Sequence, residues 1–466
     1  MAKQKLVMIG NGMAGIRTIE EILERANDLY DITVIGKEPY PNYNRIMLSN
    51  ILQNKMTVEE TIMNPYEWYE EHGIELITND PVIEVDRANQ NVTTANGIEV
   101  AYDKLIFATG SKAFVIPVPG STLPSVIGWR TIDDTEKMMD IAKTKKKAIV
   151  IGGGLLGLEC ARGLLDQGME VTVLHLAEWL MEMQLDRKAG NMLKADLEKQ
   201  GMKFEMQANT TEILGEDDVE GVKLADGREI PADLVVMAVG IRPYTEVAKE
   251  SGLDVNRGIV VNDVMQTSDS NVYAVGECAE HNGKVYGLVA PLYEQGKVLA
   301  DHLTNKETDG YKGSTTFTSL KVSGCELYSA GQIVENAEIK GIEIFNSVDN
   351  NYKKVFLKDG NVVGAVLYGD IDDGSRFYNM MKKGESTEDY TLVSLLTKGG
   401  EEASLSIADM ADDETICGCN GVDKGTIVNA ITENGFTTVE EVTAKTKAGN
   451  SCGKCKPQIA QILQHT

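Results

Sequence analysis

Two segments of the chain share one pattern of apolar and glycine positions. Leu6–Leu23 reads LVMIGNGMAGIRTIEEIL, and Ala148–Leu165 reads AIVIGGGLLGLECARGLL. In each, a short apolar run meets a glycine turn and then gives way to apolar residues at helical spacing. A continuous apolar run bounded by glycine predicts a strand buried on both faces of a parallel sheet, and the spacing after it predicts a helix. The turns are G-x-G-x-x-G: Gly10, Gly12 and Gly15 around Met13 and Ala14, then Gly152, Gly154 and Gly157 around Leu155 and Leu156. The first glycine permits the tight turn, and the second lets backbone approach a pyrophosphate. The third lets helix and strand pack closely, while the helix N-terminus meets the negative charge. One such motif is a weak signal. Two copies, each between an apolar strand and a helix, predict two dinucleotide sites on one chain.

Each copy continues in the same way. A second strand follows, DITVIGKE and then MEVTVLHLAE. Glu38 lies 23 residues past Gly15, where an acid can accept hydrogen bonds from a ribose. At the matching place in the second copy stands His175, with neither an acid nor an arginine beside it in the sequence. That leaves NADH favoured over NADPH without deciding between them. Later strands end in small residues, DKLIFATGS with Thr109 and Gly110 and ADLVVMAVGIRP with Gly240. NVYAVGECAE then places Gly276 and Glu277 after a strand, ahead of a helix expected to start near Pro291.

Beyond about residue 306 the period changes to short β patterns, TSLKVSGCELYSAG and YKKVFLKDGNVVGAVLYGD, the latter with a hairpin signal at Asp359-Gly360. A polar stretch, TKGGEEASLSIADMADDE, reads as a linker. The last segment holds four of the seven cysteines, as C-x-C at Cys417 and Cys419, thirty-two residues, then C-x-x-C at Cys452 and Cys455. Four thiolates in two close pairs suit a zinc ion or an iron–sulfur cluster, and two disulfides are the remaining alternative. Between the pairs, Ile427, Val428 and Ile431 and then Val439 and Val442 give two short helices, Lys424–Glu433 and Val439–Lys447, one buried face each. The glycines flanking the cysteines offer N–H groups to sulfur. Cys160, Cys278 and Cys325 stand singly and read as packing residues.

Composition narrows the function classes. A chain of 466 residues is long enough for about three domains. A net charge of −26 repels phosphate backbones and anionic membranes, so nucleic acid is not an expected partner, and the basic run Lys143–Lys147 reads as a solvated lead-in to a strand. No stretch approaches the roughly 20 apolar residues needed to span a bilayer. The first strand pattern begins at Lys5, which leaves no room for a cleavable leader, and the sparse cysteines suit a reducing compartment. A cytoplasmic location is expected.

With these residues in view, the first 300 positions resemble the pyridine nucleotide–disulfide oxidoreductase superfamily, in particular its rubredoxin reductase and nitrite reductase branch. The resemblance implies an α/β protein with two nested Rossmann-like, glutathione-reductase-type domains. These would be an FAD domain over 1–115 and 248–305 and an NAD(P) domain over 116–247. An α+β interface domain over 306–405 would follow, and then a small helical domain over 412–466. It implies that the first glycine turn, Glu38, Thr109, Gly110, Gly276 and Glu277 hold FAD, with Arg45 and Arg130 neutralising phosphate or bracing the flavin. The second turn, His175 and Gly240 would hold the nicotinamide dinucleotide. Glu159 matches a glutamate that relatives place near the nicotinamide, its alternative being a helix-packing residue. Asn50 stands where many relatives carry lysine. No cysteine precedes Cys160, so disulfide chemistry at the flavin is not expected.

The segment CGCNGVDKGTIVNAI…SCGKCKP resembles the bacterioferritin-associated-ferredoxin-like [2Fe–2S] domain. Taken together, the chain looks like the reductase portion of the assimilatory NAD(P)H-dependent nitrite reductase large subunits. A nicotinamide gives two electrons at once and an iron–sulfur cluster passes them singly, so a flavin belongs between them. The expected order is NAD(P)H, FAD, [2Fe–2S], then an acceptor. That acceptor would be a sirohaem and [4Fe–4S] nitrite reductase module, absent from this chain, or a small nitrite reductase subunit; a homodimer is compatible with this. The alternatives are an electron-transfer subunit for assimilatory nitrate reductase, a rubredoxin-type reductase, or a redox-responsive binding protein.

Overall fold

A computed structural model describes residues 3–314, 316–322, 324–388, 390–397, 410–451 and 453–465. Most of the expected linker, 398–409, and Cys452 lie outside the described residues. The chain divides into two units, Met1–Met47 with Met56–Ala113 and Gly240–Ser314, and Leu48–Lys55 with Phe114–Val239 and Thr315–Thr466.

The first unit is built on a five-stranded parallel sheet in the order Val272–Ala274, Lys104–Phe107, Gln4–Ile9, Tyr30–Ile35, Glu75–Ile77. Leu6, Val7, Met8 and Ile9 are all buried, as a strand covered on both faces requires. The helix Met13–Arg25 packs on the helix Val289–Leu303 so closely that a Cβ at Gly296 would lie 2.6 Å from Thr18 Oγ1. The second helix starts two residues before Pro291, because proline fits the first turn of a helix, where its missing N–H is not needed.

The second unit repeats the design, with parallel strands in the order Val126–Gly128, Leu234–Met237, Lys147–Ile151, Glu170–His175, Lys203–Met206. Its glycine helix is Leu155–Asp166, and Gly163 on that helix makes room for Leu52, whose Cγ lies 2.5 Å from where a Cβ would stand. The short helix Leu48–Leu52 is therefore seated on this unit, far in sequence from the rest of it.

In the same unit, five antiparallel strands follow in the order Phe317–Val322, Cys325–Gly331, Asn361–Tyr368, Asn351–Lys358, Lys340–Asn346. The hairpin at Asp359 and Gly360 has both residues at positive φ, 49° and 77°, the geometry that favours Asp-Gly. The helix Gly374–Lys383 covers the sheet through Phe377 and Met380. The C-terminal segment forms a small hairpin, Thr415–Cys417 with Val422–Asp423, and three helices, Lys424–Asn434, Val439–Thr446 and Lys456–His465. Ile427, Ile431, Val442 and Ile459 close its core, so the third helix joins the two that the spacing predicts. Among the described residues no helix is long and apolar enough to cross a membrane.

Candidate functional site

The two glycine turns are near-replicas. Gly10 takes φ +115° and Gly152 φ +118°, conformations that L side chains rarely adopt. A Cβ would stand 2.2 Å from Ala108 O in the first and 2.3 Å from Ala238 O in the second. Gly15 and Gly157 pack their helices back on the turn, a Cβ meeting Gly10 O at 2.9 Å and Gly152 O at 1.9 Å. Gly12 and Gly154 behave differently. Each is the N-cap of its helix with no side-chain cap bond, and nothing lies within 4 Å of either Cβ position. The first N–H groups of both helices, over Met13, Ala14, Leu155 and Leu156, thus border open cradles, each suited to a pyrophosphate.

Around the first cradle, Glu38 forms an ion pair with Arg45 and accepts a hydrogen bond from the Tyr43 hydroxyl at 2.7 Å. Burial would lower the basicity of Arg45, but Tyr43, Glu38 and Glu277 outweigh it and hold the guanidinium charged. Ser111 donates to Glu277 at 2.7 Å, Thr109 donates to Tyr244 O at 2.6 Å, and Gly110 and Gly276 both take positive φ. The Gly276 N–H donates to Gln295 Oε1 at 3.0 Å, leaving the buried Gln295 Nε2 with no hydrogen-bond partner. In the sequence nothing distinguishes Gln295 from other polar residues in a helical stretch. An orphaned donor beside Gly276 is what a site built for a polar cofactor shows without one.

In the second unit, the sequence places no acid beside His175, and the fold corrects this. His175 turns inward, 6% exposed, and accepts the Gly153 N–H on Nδ1 at 3.0 Å. Its Nε2 therefore carries the proton and faces Trp179 O at 3.1 Å and Glu182 Oε2 at 2.9 Å. The acid comes from a loop seven residues further on, which no strand-end rule anticipates. Gly240, at φ +113°, and Arg130, whose N–H donates to Asp134 in a helix capping box, stand in different units.

Glu159, half-buried on the helix Leu155–Asp166, meets the Ser49 hydroxyl of the helix Leu48–Leu52, which also carries Asn50. Burial pushes its carboxyl up to about 7, and Ser49 and the Lys454 ammonium offset that only in part. A carboxyl raised in the folded state contributes stability below the ordinary value of 4.5, and that contribution is lost as pH rises through about 7. Glu159→Gln is expected to remove this slope. It should be the more stable protein at pH 8 by about 2 kcal/mol, a figure reduced for the partial access to water. Denaturant unfolding at pH 5 and pH 8 checks this, and parallel pH slopes in the two proteins would reject it.

The cysteine site lies in the C-terminal core. Cys417 and Cys455 are 2% and 5% exposed, Cys419 is partly buried against the same core, and none of the six described cysteines is in a disulfide. Cys417 Sγ receives the Gly449 N–H at 3.5 Å and Asn420 Nδ2 at 3.6 Å, and Asn420 also donates to Ser451 Oγ at 3.2 Å. The Cys455 thiol, against the push of burial and with help from Gly449 and Asn420, draws the Cys417 thiol below its ordinary value. The donors favour a thiolate, the form a metal binds. The backbone N–H groups aimed at Cys417 come from Gly449 and Asn420.

Three family models match in series: the pyridine nucleotide-disulphide oxidoreductase family over residues 4–296, the rubredoxin NAD+ reductase C-terminal domain over 317–385 and the BFD-like [2Fe-2S] binding domain over 415–465. Among curated proteins, a nitrite reductase [NAD(P)H] of Bacillus subtilis is 53% identical over 100% of this chain and 58% of its own length. An assimilatory nitrate reductase electron transfer subunit of the same organism is 44% identical over 100% of this chain and 60% of its own length. The chain thus spans under two thirds of each. Among solved structures, the NADH:rubredoxin oxidoreductase of Clostridium acetobutylicum superposes with a TM-score of 0.70 at 30% identity, covering 84% of this chain and 98% of that one.

Proposed function

The chain belongs to the pyridine nucleotide-disulphide oxidoreductase family, and from that premise we propose that it is a NAD(P)H-dependent flavo-iron–sulfur reductase feeding nitrite reduction. Gly10, Gly12, Gly15, Glu38, Arg45 and Glu277 would hold FAD. Gly152, Gly154, Gly157 and His175 would hold the nicotinamide dinucleotide, and Cys417, Cys419, Cys452 and Cys455 a [2Fe–2S] cluster. Bound there, the flavin supplies the exchange between a hydride's two electrons and the single electrons that the cluster carries.

The chain's own residues bind, orient and tune. The open cradles present N–H groups to two pyrophosphates, and Arg45, kept charged and held by its ion pair with Glu38, would orient that carboxylate beside the first. Glu182 puts a carboxylate beside His175 at the strand end, which disfavours a 2′-phosphate and selects NADH. Asn420 and Gly449 stabilise negative charge on Cys417. Asn420→Ala is therefore expected to make the cluster about 60 mV harder to reduce, the equivalent of one charge-assisted hydrogen bond. A spectroelectrochemical titration measures this, and an unchanged potential would remove Asn420 from the role.

The observation that carries the proposal is the buried pair Cys417 and Cys455, with N–H donors aimed at Cys417, on the same chain as two phosphate cradles. The test is anaerobic addition of NADH or NADPH to the purified, yellow-brown protein, followed by steady-state reduction of ferricyanide. Rapid bleaching with turnover, faster with NADH, is expected. Slow bleaching without turnover would favour a redox-responsive binding protein. The terminal acceptor proposed is a sirohaem-bearing nitrite reductase module in the cytoplasm. The 44% identity to a nitrate reductase electron transfer subunit supports a second reading, delivery to nitrate reductase.

A further inference from the structure

Gly418, between Cys417 and Cys419, has no backbone reason to be glycine. It is not among the residues at positive φ, unlike Gly421 and Gly453 nearby. What it lacks is room. A Cβ at 418 would stand 2.3 Å from Cζ and 2.5 Å from Cε1 of Phe317, which opens the antiparallel sheet of the preceding domain. The ring cannot simply swing away. It stacks on Tyr328 at 5.9 Å and 18°, and meets Tyr378 edge to face at 5.1 Å and 63°. Tyr328 is itself fixed in the sheet core, with Gly374 packed against its ring. Phe317 is thus a wedged platform, and the C-x-C loop rests its one residue without a side chain upon it.

A second link joins the same two domains. Lys383, from the helix over the sheet, pairs with Asp413 at 3.0 Å, just ahead of the first cysteine strand. That pair is exposed and contributes little on its own. The aromatic contact is the one that fixes position, because it joins a rigid ring to a bare backbone.

We propose that Phe317 is the docking residue of the C-terminal domain, seating the Cys417–Cys419 loop on the Phe317, Tyr328 and Tyr378 platform. In this arrangement Gly418 serves the contact between domains and not the ligand geometry. Fixing the loop fixes where electrons leave the chain, a consequence that rests on the reductase reading, whereas the docking itself does not.

The test is a double-mutant cycle in the holoprotein: Gly418→Ala, Phe317→Ala and both together, with Phe317→Leu as a milder variant. Amide hydrogen exchange over 415–423 and proteolytic cleavage between 398 and 414 are the readouts. Circular dichroism and flavin content serve as controls for folding. Gly418→Ala should speed exchange and cleavage about tenfold, the scale of a methyl forced into a packed contact. Phe317→Ala should act in the same direction, Phe317→Leu less, and Gly418→Ala should add nothing further once Phe317 is gone. An effect of Gly418→Ala undiminished in the Phe317→Ala background, or none in the native background, would overturn the proposal. A protein found to lack iron would instead sink the reductase reading, with the exchange cycle still reporting on docking.

Discussion

Cys417→Ser is expected to strip iron from the protein while leaving NADH-driven bleaching of the flavin intact. The serine hydroxyl is a harder ligand than a thiolate and does not ionise near neutral pH, so it cannot replace the soft anion that iron and inorganic sulfide require. The site is also organised around that sulfur. Gly449, Asn420 and Cys455 all converge on it, and each would lose the negative charge it faces. Reduction of slow one-electron acceptors should fall by more than about 100-fold, beyond what changes outside the first coordination shell cost. Cluster binding also contributes folding free energy, so the helices Lys424–Asn434 and Lys456–His465 should lose exchange protection. Iron analysis, stopped-flow bleaching and exchange measure these three effects. Loss of flavin reduction in this variant would show that the cysteine site and the first cradle do not act separately.

Gly10→Ala should prevent folding of the first unit, whereas Gly12→Ala should fold and fail to retain flavin. The two glycines sit two residues apart yet face opposite constraints. An alanine at 10 would hold φ +115° with its methyl 2.2 Å from Ala108 O, a backbone atom just past the end of the strand Lys104–Phe107, held there by the Ala108 N–H donating to Ile9 O. Strain of about 1–3 kcal/mol and overpacking of about 1–3 kcal/mol together reach the lower end of an ordinary domain's stability, about 5–15 kcal/mol. Gly12 has an ordinary φ of −89° and open space at its Cβ position, so a methyl there costs the fold little and fills the cradle. Thermal unfolding and flavin content separate the cases. A Gly12→Ala protein with full flavin content would place the cofactor elsewhere.

The features legible in the sequence are those written in consecutive residues. Strand, glycine turn and helix form one local unit, so both cradles can be read from eighteen-residue windows, and Asp359-Gly360 announces its hairpin through the conformation that the pair prefers. The C-x-C and C-x-x-C pairs are legible for the same reason. What the sequence hides is what folding brings together from afar. Glu182 reaches His175 by a loop that doubles back, Ser49 reaches Glu159 and Phe317 reaches Gly418 across more than a hundred residues each. None of these pairs leaves a periodic trace. Glu38 is legible as an acid at a strand end, but its partner Arg45 becomes evident only when the intervening short strand Asn42–Tyr43 sets Tyr43 against both. Gly418 shows the limit most plainly: beside cysteines it looks like an N–H donor, and only the ring above it reveals the need for an absent side chain.

Whether electrons pass from nicotinamide through flavin to the cysteine site is decided by an anaerobic titration of the holoprotein with NADH, followed together by visible absorbance and low-temperature electron paramagnetic resonance. The flavin bands should bleach and the signal of a reduced [2Fe–2S] cluster should appear in the same titration, at one cluster per chain. Bleaching of the flavin with the iron centre left oxidised, or zinc in place of iron at the cysteines, would contradict that route.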